Sequence, residues 1–230
     1  TLGRILLRKK PFFHGKRATA LFVIWIALII ASVAIGASVG SRVENHIRTS
    51  PQYSETTKVI PLTAFDTLTA ENGQHITIVA GAEYSATIHG RTADVERIVF
   101  DQTGIAGAST TLLVHNNNDE WRACFFCRHM TSRIEITVPA DKPLKEITSQ
   151  NATSIKYTGA FTDLKVSLQN ASVLELSGTA KSLTATLENA SALQASALKA
   201  DTVSITMQNA TKADFYAITK LNFEAKNASK

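Results

Sequence analysis

Polar and apolar residues alternate through the second half of this chain, and the alternation keeps restarting. The segments LKVSLQ (164–169), LTATLE (183–188) and VSITMQ (203–208) each put three apolar side chains on one face and three polar ones on the other. Partial versions, KEITSQ and LNFEAK, precede Asn151 and Asn227, and SIKYTG, VLELSG, ALQASA and KADFYA alternate again after the first four Asn positions. A period of two, in segments rich in Thr, Ser and β-branched residues, predicts short strands rather than helices. Between the two strands of each unit lies one tripeptide, Asn-Ala-Ser or Asn-Ala-Thr, starting at Asn151, Asn170, Asn189, Asn209 and Asn227.

A unit of roughly 19 residues with two short strands cannot bury its own apolar face, but copies stacked on one another can. The predicted fold is therefore all-β, a parallel β-solenoid whose coils pair at about 4.8 Å. The inward set runs through Leu164, Val166 and Leu168, then Leu183, Ala185 and Leu187, then Val203, Ile205 and Met207, and on to Leu221 and Phe223. Second strands add Ile155 and Tyr157, Leu174 and Leu176, Leu193 and Ala195, Ala213 and Phe215. Asn151, Asn170, Asn189, Asn209 and Asn227 then become structural corners. Asn tolerates a left-handed backbone, and stacked carboxamides can bond along the axis. Each tripeptide also matches a glycan acceptor sequon; the corner reading accounts for the spacing and the glycan reading does not.

The front half carries strands without the Asn mark. Asn72-Gly73, inside FDTLTAENGQHITIVAGAEYSATIHG, is expected as a hairpin turn. TTLLVH and SRIEITVPADKPLKEI supply further strands, and 92–99 a helical turn. This order, with the Trp121 loop leading into short repeats that have a small-residue corner, resembles the auto-transporter adhesin head (GIN) domain family of bacteria over roughly residues 59–230. Asn-Ala-Ser stands where Gly-Ala-Ser-like corners are commoner in that family. The resemblance implies a right-handed parallel β-helix in an exported surface or envelope domain.

Residues 18–40 form an uncharged run of 23, long enough at about 1.5 Å per residue to cross a bilayer as a transmembrane helix. Six Lys or Arg and no acid lie within residues 1–40, all six before the run, which places a cytoplasmic basic tail at 1–17 and the rest outside. A cleaved signal peptide is the competing reading, and the length of the run favours an uncleaved single-pass anchor. Gly36 and Gly40 add a GxxxG spacing that packs such helices together in some proteins. A polar tether at 41–58 leads to the domain at 59–230. The chain starts at Thr1 without Met and stops just inside a new repeat, as a fragment would. The formal charge of +5 belongs to the tail, since the remainder holds 18 Lys/Arg against 19 Asp/Glu. No basic cluster marks the body, which excludes a nucleic-acid partner from the expectations.

Candidate chemistry concentrates in WRACFFCRHM. Cys124 and Cys127 form a CxxC that is open to three readings. It is a disulfide or reduced pair in a loop tip, favoured by export; a metal site with His129 and His115, lacking the second half of a zinc-finger pattern; or a redox motif, lacking a helix N-terminus to lower the thiol pKa. Solenoid enzymes need converging carboxylates, and no column here pairs two on adjacent coils. No Ser-His-Asp set and no glycine-rich phosphate loop can be placed, so no enzyme activity and no cofactor is expected. The expectation is a non-catalytic, adhesin-like binding module at the bacterial envelope. Its candidate binding face is Lys156, Glu175, Gln194, Asp214 and Tyr216, and its partner an envelope polysaccharide or surface protein. The alternative is a structural scaffold that self-associates.

Overall fold

The computed structural model describes residues 54–104, 109–117, 132–227 and 229–230. In chain order the strands are β1 (Glu55–Pro61), β2 (Thr67–Ala70), β3 (His75–Gly81), β4 (Ser85–Arg91), β5 (Ile98–Thr103), β6 (Thr111–Asn116), β7 (Arg133–Pro139), β8 (Glu146–Ser149), β9 (Ser154–Leu168), β10 (Val173–Glu188), β11 (Ala192–Gln208) and β12 (Lys212–Ala225). The one helix among the described residues is a single turn, α1 (Thr92–Val95), within the segment expected to be helical. The architecture is all-β and contains a β-solenoid of about four turns. Strand β1 begins at Glu55, so the last residues of the expected tether are paired, against β4.

Each coil has a leg before its corner and a leg after it. The legs before stack as β5, β6, β2, β8 and then the ends of β9, β10, β11 and β12. Those after stack as β1, β4, β7, β3 and then the beginnings of β9 to β12. All pairings from β6 and β7 onward are parallel, whereas β5 and the β1–β4 pair close the first end antiparallel. The strands β9 to β11 run unbroken through the expected second turn, because residues in that bend still pair with the neighbouring coil.

The Asn72-Gly73 hairpin does not form. Both neighbours of β2 are taken, by β6 and β8, and both neighbours of β3, by β7 and β9. Asn72 and Gly73 instead make a solenoid corner, with φ of 65° and 75°. A tight hairpin of type I′ needs the same pair of left-handed residues, so the dipeptide carries one local conformation compatible with two pairings. Stacking chooses between them. The chain goes from this coil out to the antiparallel end, returns through β6 and β7 to fill the place outside it, and only then passes to β8. Coils next to one another in space are therefore not always next to one another in sequence.

Apolar columns run along the inside. Leu112, Leu68, Ile147, Val166, Ala185 and Ile205 occupy successive coils in register, all buried, with Ile134, Ile76, Ile155, Leu174 and Leu193 doing the same on the other leg. Full burial of each Leu, Ile or Val among them contributes about 1.5–3 kcal/mol. Repetition of these increments lets a thin coil hold together. Inward residues of β12 differ: Leu221 and Phe223 are each 49% exposed, because no described coil lies on them. Tyr157 is buried against Phe161, and its hydroxyl accepts a bond from the Leu144 backbone N–H at 3.3 Å. Burial raises its pKa above the ordinary tyrosine value.

Candidate binding surface

Three outward features are built by the coil register. The first is the corner itself. Asn151, Asn170, Asn189, Asn209 and Asn227 have φ between 54° and 60°, and the residues after the first four, Ala152, Ala171, Ala190 and Ala210, have φ of 61–62°. Each Asn donates from Nδ2 to Oδ1 of the preceding rung: Asn151 to Asn72 at 3.2 Å, Asn170 to Asn151 at 3.1 Å, Asn189 to Asn170 at 3.2 Å, Asn209 to Asn189 at 3.0 Å and Asn227 to Asn209 at 2.9 Å. The backbone bonds point the other way, with Gly73, Ala152, Ala171, Ala190 and Ala210 N–H each donating to the next rung's Asn carbonyl at 2.9 Å. Two opposed rows of amide dipoles thus run side by side, which lets many rungs stack without a growing net dipole. Inside the corner, Thr153, Ser172 and Ser191 are buried and return their hydroxyls to the carbonyls of Gln150, Gln169 and Glu188 at 2.7–2.8 Å. The hydroxyl residues of these three sequon matches close their corners and face away from solvent.

The second feature is the expected binding column. Lys156, Glu175, Gln194 and Asp214 face one another in successive coils, so the register sets them in one outward row. Lys156 Nζ lies 2.7 Å from Glu175 Oε1, and Lys212 Nζ lies 3.1 Å from Asp214 Oδ2. These pairs are about half exposed, where an ion pair contributes roughly 0–1 kcal/mol, so the row stays open to exchange partners. Tyr216 is 56% exposed and lies two residues along β12 from Asp214, beside the row; it stands opposite Lys199, because the register between β11 and β12 jumps between Ala195 and Lys199. The third feature is a hydroxyl column, Thr69, Thr148, Ser167, Thr186 and Thr206, on the legs before the corner. Four of its five residues fall on the polar face that the alternation of the repeat segments predicts; Thr69 was hidden by the hairpin expectation.

The remaining chemistry is structural. Asp66 Oδ1 accepts from Ser109 Oγ at 2.7 Å and the Thr110 N–H at 3.2 Å, and its Oδ2 from Lys145 Nζ at 2.9 Å. Partial burial pushes its pKa up, but the Ser109 and Lys145 bonds outweigh that and bring it below the ordinary aspartate value. His115 Nε2 lies 2.9 Å from Asp101 Oδ2. Cys124, Cys127 and His129 lie outside the described residues, as does the 18–40 run. Among the described residues no three His, Cys, Asp or Glu side chains are placed to hold a metal, and no helix is long and apolar enough to cross a membrane.

Residues 64–230 match the family described as "Putative auto-transporter adhesin, head GIN domain". A solved structure titled a putative adhesin from Bacteroides fragilis aligns with a TM-score of 0.52 at 12% identity, covering 78% of this chain and 96% of that one. A putative adhesin from Parabacteroides merdae aligns with a TM-score of 0.40 at 12% identity, over 77% of this chain and 91% of its own. The first of these supports a shared fold. No curated protein matches.

Proposed function

The chain belongs to the auto-transporter adhesin head GIN domain family, and we propose that it is an adhesin-like, non-catalytic binding module of the bacterial envelope. The observation that carries the proposal is the register-locked outward row Lys156, Glu175, Gln194 and Asp214. A rigid row of side chains repeating at about 4.8 Å offers an extended polymer many weak contacts at once, with little ordering cost on the protein side. Tyr216 adds one exposed aromatic beside it. The adhesin titles of the structural relatives agree with this reading. The coil is taken as right-handed, as parallel crossover connections nearly always are.

The same proposal gives residues 18–40 the role of a single-pass anchor, 1–17 that of a cytoplasmic basic tail and 41–58 most of a tether, with the solenoid outside the membrane. The partner class is an envelope polysaccharide or a surface protein. The test is a pull-down of the full chain, in detergent, on sacculi, surface polysaccharide and membrane protein from the source cell. Saturable binding to one fraction, weakened by Lys156→Ala, Glu175→Ala and Tyr216→Ala together, is the expected result. Absence of binding to every fraction, with concentration-dependent self-association in its place, would replace this reading by a scaffold.

A further inference from the structure

Four alanines occupy a backbone region in which a Cβ is unwelcome. Ala152, Ala171, Ala190 and Ala210 all sit at φ of 61–62°, where glycine is the residue without a steric penalty. The corner of the first coil uses glycine at that place, Gly73 at φ 75°, with open space around the position a Cβ would take. The fold therefore accepts Gly in the second left-handed position, yet four corners carry Ala. Backbone geometry alone predicts the opposite choice.

The chemistry of the preceding residue supplies a reason. An asparagine side chain is attacked by the amide nitrogen of the residue that follows it. That nitrogen gives up its proton and bonds to Cγ, the Cγ–Nδ2 bond breaks, and Nδ2 leaves as ammonia. Water then opens the cyclic imide to aspartate or isoaspartate. A following glycine presents the least hindered nitrogen and the freest backbone, and asparagine is a thermolabile residue for this reason. We propose that Asn72 is a site of spontaneous deamidation, the chemically labile rung of the ladder, and that Ala at the second corner position protects the other rungs from the same reaction.

The position of Asn72 in the ladder adds to the effect of Gly73. Asn151, Asn170, Asn189 and Asn209 are held at both ends, each donating from Nδ2 and accepting at Oδ1. Asn72 is held by the ladder at Oδ1 only, by Asn151. The attacking group, the Gly73 N–H, is tied to the Asn151 carbonyl at 2.9 Å, so reaction requires the corner to open first. Conversion to aspartate keeps the Oδ1 acceptor that Asn151 uses, whereas at an inner rung it would also remove a donor. For the aspartate product, the labile rung is the one whose conversion removes no ladder donor.

The experiment is to age the folded full chain in mildly alkaline buffer and follow each Asn by peptide mapping and mass spectrometry. Asn72 should convert ahead of Asn170 and Asn189. Gly73→Ala should slow it, and Ala171→Gly, which relieves strain rather than adding it, should speed conversion of Asn170. Asn151→Gly should raise the Asn72 rate roughly two- to tenfold, the shift in open population that loss of one hydrogen bond supports. Should Asn151→Gly fail to fold, the Ala171→Gly arm decides alone. Equal rates at Asn72 and Asn170 in the unaltered chain, or no change at Asn170 in Ala171→Gly, would overturn the proposal.

Discussion

The two bends of each coil solve one problem differently. At the Asn corner, the five repeat asparagines share one left-handed φ, one side-chain ladder and one row of backbone bonds. At the opposite bend nothing repeats for long. The β9–β10 register runs continuously there, while between β10 and β11 it shifts once, between Glu175 and Ser177, and between β11 and β12 it shifts twice. The ladder spacings of 19, 19, 20 and 18 residues are reconciled entirely at this second bend. One corner keeps the count and the other absorbs the error. In a strand with one buried face this division is required, since a slip of one residue carried through the coil would turn every inward side chain outward.

That division is open to direct attack. The largest effect is expected from inserting one alanine between Ala171 and Ser172, which breaks the ladder and reverses the alternation beyond it. Circular dichroism and thermal melting should show loss of the cooperative fold. The same insertion next to Lys199, where the register already jumps, should cost about 1 kcal/mol, the ordinary price of a tolerated change. Equal damage at both sites would break the comparison.

Gly178 is the exception at the tolerant bend. Its φ is 111°, and a Cβ there would collide with the Gly159 carbonyl of the neighbouring coil. Gly178→Ala should destabilise by about 3 kcal/mol or more, combining a disfavoured backbone with a backbone clash. Chemical denaturation measures it. Next in size, Asn170→Ala removes a donor and an acceptor from mid-ladder and adds an unfavourable left-handed alanine, about 2–3 kcal/mol in all. Asn72→Asp, which keeps its acceptor, should fall well below that.

The smallest expected effect is a pH dependence. Asp66 ties the second bend of the first coils, and its folded pKa is lowered. Its contribution is therefore complete above the unfolded value of about 3.9 and fades as pH falls through the lower folded value. Tyr157 acts at the other end of the scale. With a raised folded pKa, its contribution is intact below the unfolded value of about 10 and fades as pH rises toward the higher folded one. Melting of Asp66→Asn should flatten the acid limb only, and melting of Tyr157→Phe the alkaline limb only.

By itself, the sequence determined the repeat. Strict alternation assigned an inward and an outward side to the legs between Leu164 and Met207, and recurrence of Asn-Ala-Ser/Thr placed the Asn corners, while the buried second-bend residues Ala180, Leu198 and Ala200 fell outside both patterns. Both are local properties: a period of two has one strand reading, and a residue that tolerates positive φ marks where the chain turns. Tertiary structure alone decided what lay beyond them. Whether Asn72-Gly73 joined neighbouring strands or ended a coil depended on which strands filled the places beside β2 and β3, and those come from β6 to β9, up to some 80 residues away. The left-handed dipeptide is compatible with either answer, so the missing information was never in the dipeptide. Placement of Tyr216 opposite Lys199 likewise depends on a register jump between neighbouring coils. Partners in a parallel stack are set by neighbouring coils, and only the assembled coils specify them.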